Sequence, residues 1–131
     1  MFDVYVVEGE TLMVGRPRGI LDANEASQIL DFIELKEKLV ETGFNRFCDL
    51  TRLEGIHLSS AEVRELAARR RAFNPNDVHV KSAILATDPL TFGIARMYEL
   101  LLNSPRIEVS VFNELEPAAQ WLAVKPDKLK L

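Results

Sequence analysis

Ala83-Ile84-Leu85-Ala86 is a continuous apolar run of strand length, and Asp88-Pro89 follows it almost at once. A strand without a polar face has to be covered on both sides, as strands are in a parallel sheet flanked by helices. Aspartate is a preferred N-cap, and proline at the first helical position gives up only an N–H that has no partner within the helix. The stretch therefore predicts a buried strand from Val80 to Thr87 that turns directly into a helix. Phe92, Ala95, Tyr98, Leu101 and Leu102 give that helix a buried face, and Asn103-Ser104-Pro105 closes it.

A similar passage lies upstream, from Arg46-Phe47-Cys48-Asp49-Leu50-Thr51 to Ser59-Ser60-Ala61-Glu62-Val63. It reads as a short strand, a polar loop and a helix from Ala61 to about Phe73, capped by Ser59 or Ser60. Asn74-Pro75-Asn76-Asp77 ends that helix, because the residue before proline avoids helical geometry. Before it, Val4–Val7 and Leu12–Val14 form a hairpin across Glu8-Gly9-Glu10, and Arg16-Pro17-Arg18-Gly19 breaks the second strand. Asp22 and Glu25 open a helix whose series Ala26, Ile29, Leu30, Ile33, Glu37 and Val40 follows helical spacing, with Gly43 as its stop. Downstream, Ile107–Phe112 alternates as a strand, and Asn113 caps a short helix packed by Ala118, Ala119, Trp121 and Leu122.

The resulting order, β-β-α-β-α-β-α-β-α, predicts an α/β fold. It has a mainly parallel or mixed sheet of about five strands, an N-terminal β-hairpin and four helices. Residues 1–123 form one domain and residues 124–131 a frayed C-terminal tail.

The formal net charge of −4 and pI near 5.2 argue against nucleic acid or an anionic membrane as partner, since both ask for a basic surface. No apolar run approaches the roughly 18 residues that span a bilayer, and no basic segment precedes an apolar one at the N-terminus. The expected location is cytoplasmic. Cys48, the sole cysteine, fits a reduced and inert buried thiol. His57 and His79 have no second ligand at metal spacing, and no glycine-rich phosphate loop or nucleophile elbow occurs, so neither metal nor cofactor is implied.

Three segments together resemble a known family: Phe47-Cys48-Asp49-Leu50-Thr51, Ala83 through Met97, and Val109-Ser110-Val111-Phe112 leading to Ala118-Ala119-Gln120-Trp121-Leu122. They are similar to the bacterial STAS-like family, related to the anti-sigma-factor antagonist of sporulation and often grouped with CRAL-TRIO-like folds. The likeness spans about residues 4 to 123, and Phe92-Gly93-Ile94-Ala95-Arg96-Met97 after an apolar strand is its most specific part. The resemblance implies regulated binding rather than catalysis. In true antagonists a serine at the start of the helix after the Asp-Leu strand is phosphorylated by a partner kinase; here Ser59 and Ser60 occupy that place. Leu58 and Ala61 stand where the family has aspartate and glycine. The CRAL-TRIO likeness implies instead a small-molecule or lipid carrier, with an apolar cavity between the sheet and the helix bearing Phe92, Met97 and Tyr98.

Ligands of open α/β sheets sit beyond the carboxyl ends of the strands. Those ends carry Asp49, Thr51 and Arg52, then Thr87, Asp88 and Thr91, then Asn113. They assemble a shallow polar site, or they merely cap helices and satisfy loop N–H groups. Arg96 reaches an anion in that crevice or pairs with Asp49 or Asp88. Arg64, Arg69, Arg70 and Arg71 spread around their helix as a solvated face. The expected partner is a protein; a homodimer through the hairpin edge and a small apolar ligand are the other candidates, and no enzymatic activity is expected.

Overall fold

The computed structural model describes residues 2–7, 9–75 and 77–130. Strands β1 (Phe2–Val7), β2 (Leu12–Pro17), β4 (Asn45–Asp49), β6 (Val80–Leu85) and β7 (Ile107–Phe112) form one sheet in the order β1-β2-β4-β6-β7. Only the β1–β2 pair is antiparallel. With the helices α1 (Ala23–Leu39), α2 (Ser60–Ala72), α3 (Pro89–Leu102) and α4 (Leu115–Leu122), this is the expected mixed α/β architecture.

The alternation of side chains along each strand sorts the core into two layers. Val7, Leu12, Val14, Phe47, Ala83 and Leu85 face α4 and pack on Ala118, Ala119 and Leu122. Ile84 and Ala86, with Leu50, point the other way, toward Leu21, Ile56 and the α3 residue Ala95. At the opposite end of that second face, Val80 and Ile107 meet Ala67 of α2 and Leu102 of α3. Strand β6 is thus covered on both sides, as its apolar run requires. Among the described residues no helix is long and apolar enough to cross a membrane.

Several boundaries differ from expectation. Gly9 takes φ +77° in the hairpin turn, as a glycine there was expected to; Glu8 lies outside the described residues. Strand β2 does not break at Arg16 but continues to Pro17, opposite Phe2. Pairing of β2 with β4 stops at Gly15, so the missing proline N–H interrupts no ladder on that side. Helix α1 ends on Val40 in an extended conformation, not on Gly43. Gly43 serves the loop instead: its φ is +75°, and a Cβ there would lie 2.6 Å from Val78 Cγ2.

Two strands were not foreseen. β3 (Gly19–Asp22) and β5 (Leu53–His57) pair parallel in a separate two-stranded sheet, where a polar loop was expected after β4. Their ladder is held by burial of Leu21 and Ile56 amid charged and glycine neighbours. Helix α4 begins after Glu114, which makes no side-chain cap bond, so Asn113 is an exposed loop residue and not the N-cap. The expected frayed tail also packs: Pro126–Leu129 form a short 3-10 helix, and Leu129 is only 1% exposed among Leu12, Phe47 and Leu122. One well-placed leucine is enough to dock a segment too short to show periodicity. The stop after α2 includes Asn76, which lies outside the described residues.

Candidate functional site

Beyond the carboxyl ends of β4 and β6 lies a cleft of about 260 Å³. β5 supplies one wall through Leu53, Glu54, Gly55 and Ile56, and the start of α3 supplies the other through Asp88, Leu90 and Thr91. Thr51, Thr87 and Asp88 come together here, joined by Leu90 of α3 and by Glu54 and Gly55, which the sequence had not singled out because β5 was read as loop. Asp88 Oδ2 accepts from Thr91 N at 3.1 Å and from Thr91 Oγ1 at 3.3 Å, so its carboxylate is committed to capping α3.

Asp49 is not among the residues lining this cleft. Strand alternation puts it on the face of Phe47, and there it is buried against Arg16. Its Oδ2 accepts from Arg16 Nε at 3.3 Å, while Oδ1 accepts from Thr51 N at 2.9 Å and Thr51 Oγ1 at 2.6 Å. Arg52 and Asn113 are exposed outside the cleft. Arg96 pairs with neither Asp49 nor Asp88: it meets Glu99 one turn along its own helix. Glu99 Oε1 in turn accepts from Val111 N at 2.9 Å, blunting the open edge of β7. Asp49 is thus tied to Arg16 and Thr51, and Asp88 to Thr91.

Ser59 is the N-cap of α2 in a complete capping box: its Oγ accepts from Glu62 N at 3.1 Å, and Glu62 Oε1 accepts from Ser59 N at 2.9 Å. Ser60 is the first helical residue, exposed, with a hydroxyl that makes no hydrogen bond.

Arg64 and Arg71 of α2 are exposed, as expected, whereas Arg69 and Arg70 depart from the solvated face. Arg69 reaches across to α1, donating to both oxygens of Glu34 at 2.9 Å and to Asp31 and Ser27, and the bonds to Glu34 and Asp31 raise its pKa. Arg71 Nη1 donates to the Leu101 carbonyl at the end of α3 at 2.7 Å. Arg70 turns inward and is 2% exposed. It shares Glu37 Oε2 with Arg46, at 2.5 Å and 3.1 Å, in a buried cluster joining α1, α2 and β4. Burial first, and then the neighbouring Arg70 charge, lower the Arg46 pKa to about 10. The signal was present in the spacing: Val63, Ala67 and Arg70 lie on one helical stripe, and Glu37 falls within the apolar series of α1.

Beneath α1, α2 and α3, against the sheet, lies a pocket of about 140 Å³. Its wall is apolar apart from Cys48, Ser82 and Tyr98, and includes Ile29, Ile33, Leu66, Ile84, Ile94 and Ala95. The α3 residues that reach it are Ile94, Ala95 and Tyr98; Phe92 and Met97 are not among its lining. Burial, with a smaller contribution from the adjacent Asp49 charge, pushes the Cys48 thiol up to about 12. At pH 8 the thiolate is then scarce, and alkylation by iodoacetamide is expected to be at least about a hundredfold slower in the folded chain than in urea. Mass spectrometry of timed aliquots reads this; equal rates would mean that Cys48 is freely solvated. Because the folded pKa lies above that of the unfolded chain, Cys48 also withdraws stability as the pH rises above the ordinary thiol value near 9. Among the described residues no group of three or more His, Cys, Asp or Glu side chains is placed to hold a metal ion.

No family model matches this chain, and no curated protein matches it significantly. Solved structures do. An uncharacterised protein of the DUF3478 family with a SpoIIAA-like fold, from Shewanella loihica PV-4, is 17% identical, with 93% of this chain and 92% of that one covered at a TM-score of 0.59. The anti-sigma factor antagonist SpoIIAA in its unphosphorylated form is 16% identical, with 94% and 97% covered, also at 0.59. The chain therefore has the SpoIIAA-like fold that the STAS-like resemblance implied.

Proposed function

We propose that this chain is a non-catalytic interaction module that docks a protein partner on the surface where α2 and α3 begin. The observation that carries this reading is the commitment of Asp49 to Arg16 and Thr51, of Glu62 to the Ser59 cap and of Asp88 to Thr91, together with Leu90, which lines the cleft with Asp88 and is 63% exposed. Carboxylates already tied up as caps and ion pairs are poorly placed to exchange protons with a substrate, whereas Leu90 continues an apolar cleft wall of Leu50, Leu53 and Ile56 that a partner side chain would cover. One protein of the same fold is an anti-sigma factor antagonist described in an unphosphorylated form, which adds support for binding and for control by phosphate.

Of the two serines, Ser60 is the better acceptor. A phosphate on Ser59 would disrupt its cap bond and face the Glu62 carboxylate, which already occupies the Ser59 N–H. A phosphate on Ser60 would meet the positive end of α2 with no cap to lose. Its added negative charge would stand on the docking surface and change what binds there.

The test compares the native chain with Leu90→Asp in cross-linked capture from the host, with phosphopeptide mapping on the same sample. A partner that Leu90→Asp loses at least about tenfold, together with phosphate on Ser60, is the expected result. Identical capture by both chains would remove the surface from consideration, and phosphate confined to Ser59 would reverse the order of the serines. The native mass of the same sample also reads self-association, for which β1 offers an open edge.

A further inference from the structure

The apolar pocket has a size and a charged neighbour that together specify a ligand. Its volume of about 140 Å³ is close to that of a cavity known to hold benzene, about 150 Å³. A long acyl chain does not fit, so the carrier reading narrows to a small molecule. A second void of about 60 Å³ adjoins it, sharing Ile29, Ile33, Cys48 and Ser82 with the first, and Arg46 lines this second space. Arg46 and Ser82 are register partners on neighbouring strands, so Arg46 stands beside one of the four residues that belong to both voids.

Charge supplies the other half. Arg46 is 5% exposed and Arg70 2%, and among the described residues both have Glu37 as their acidic partner. Two buried guanidiniums therefore face one carboxylate. A second carboxylate delivered by a ligand would even the count and form charge-assisted hydrogen bonds in a dry setting. An amine would meet like charge, and a neutral hydrocarbon would fill space but leave the imbalance. Burial first, and then Arg70, depress the Arg46 pKa, so a further negative charge placed beside it would favour its charged form. Tyr98, which lines the larger void, is under the influence of the same two arginines.

We propose that this pocket binds a small monocarboxylic acid of about six to eight carbon atoms, its apolar body against Ile29, Ile84 and Ala95 and its carboxylate toward Arg46. The inference deepens the small-molecule reading and does not depend on the docking surface, since its test reads ligand binding alone.

Fluorine NMR titrations of the full chain with para-fluorobenzoate and with fluorobenzene decide it. The acid is expected to saturate and to bind about tenfold more tightly than the neutral probe. Ala95→Leu, which fills the pocket from α3, should weaken both probes by at least about tenfold. Arg46→Met should abolish the preference for the acid while fluorobenzene still binds; should that variant fail to fold, Arg46→Lys and Ala95→Leu carry the comparison. Equal affinity for the two probes, no saturation by either, or acid binding unchanged in Ala95→Leu would each overturn the proposal.

Discussion

Replacing Glu37 by leucine is expected to destabilise this chain by about 3–5 kcal/mol, the cost of leaving a buried charge without its partner. Glu37 Oε2 accepts from Arg46 and from Arg70, and all three side chains are nearly excluded from solvent. Removing the carboxylate strands two cations, each already facing the other; the low pKa of Arg46 shows that burial and this repulsion act against its charge. Arg70→Met should cost less, because the Glu37–Arg46 pair then stands one to one. Replacing all three by apolar residues of similar volume should cost least, as buried ion clusters often return little net stability. Urea unfolding of the three variants tests the order through their midpoints at an unchanged slope. A Glu37→Leu chain within about 1 kcal/mol of the parent would show that the cluster is hydrated.

The cluster also shows what sequence can and cannot deliver. Both strand-to-helix passages were legible because their signals are local: Asp88-Pro89 and the Ser59–Glu62 box are written within four residues. The β3–β5 pair was not, because each strand holds at most five residues, Glu54 and Gly55 interrupt β5, and their pairing joins segments more than thirty positions apart. Arg70 was assigned to solvent on residue type although its spacing pointed inward; the partner that makes burial tolerable, Glu37, lies on another helix. Asp49 was lost from the crevice for a similar reason: its partner, Arg16, lies 33 positions upstream on β2. An apolar cavity against α3 was implied only by the family resemblance, and of the three α3 residues named for it only Tyr98 lines the pocket. A void arises where side chains from several elements fail to meet, and no single element records that.

Deleting residues 124–131 is expected to leave a largely unfolded chain, against the small effect that removing a frayed tail would have. Leu129 packs at 1% exposure among Leu12, Phe47 and Leu122, so Leu129→Ala alone should cost about 2–5 kcal/mol. Deletion also takes the Leu129 carbonyl from Arg16 Nη2 and the Lys128 carbonyl, 3.3 Å away, from the Tyr5 hydroxyl. Arg16 is itself buried between Asp49 and the Tyr5 ring, and losing one acceptor from a buried cation adds about 1–3 kcal/mol. Together these approach the total stability of an ordinary domain, about 5–15 kcal/mol. The loss should spread to the centre of the sheet, because Arg16 links the segment to β4 through Asp49. Urea titration of the deletion and of Leu129→Ala separates the contributions: the point variant keeps the Arg16 acceptor and should unfold at an intermediate midpoint. A truncated chain as stable as the parent would mean that the hairpin and α4 close the core by themselves, and that Arg16 finds its solvation elsewhere.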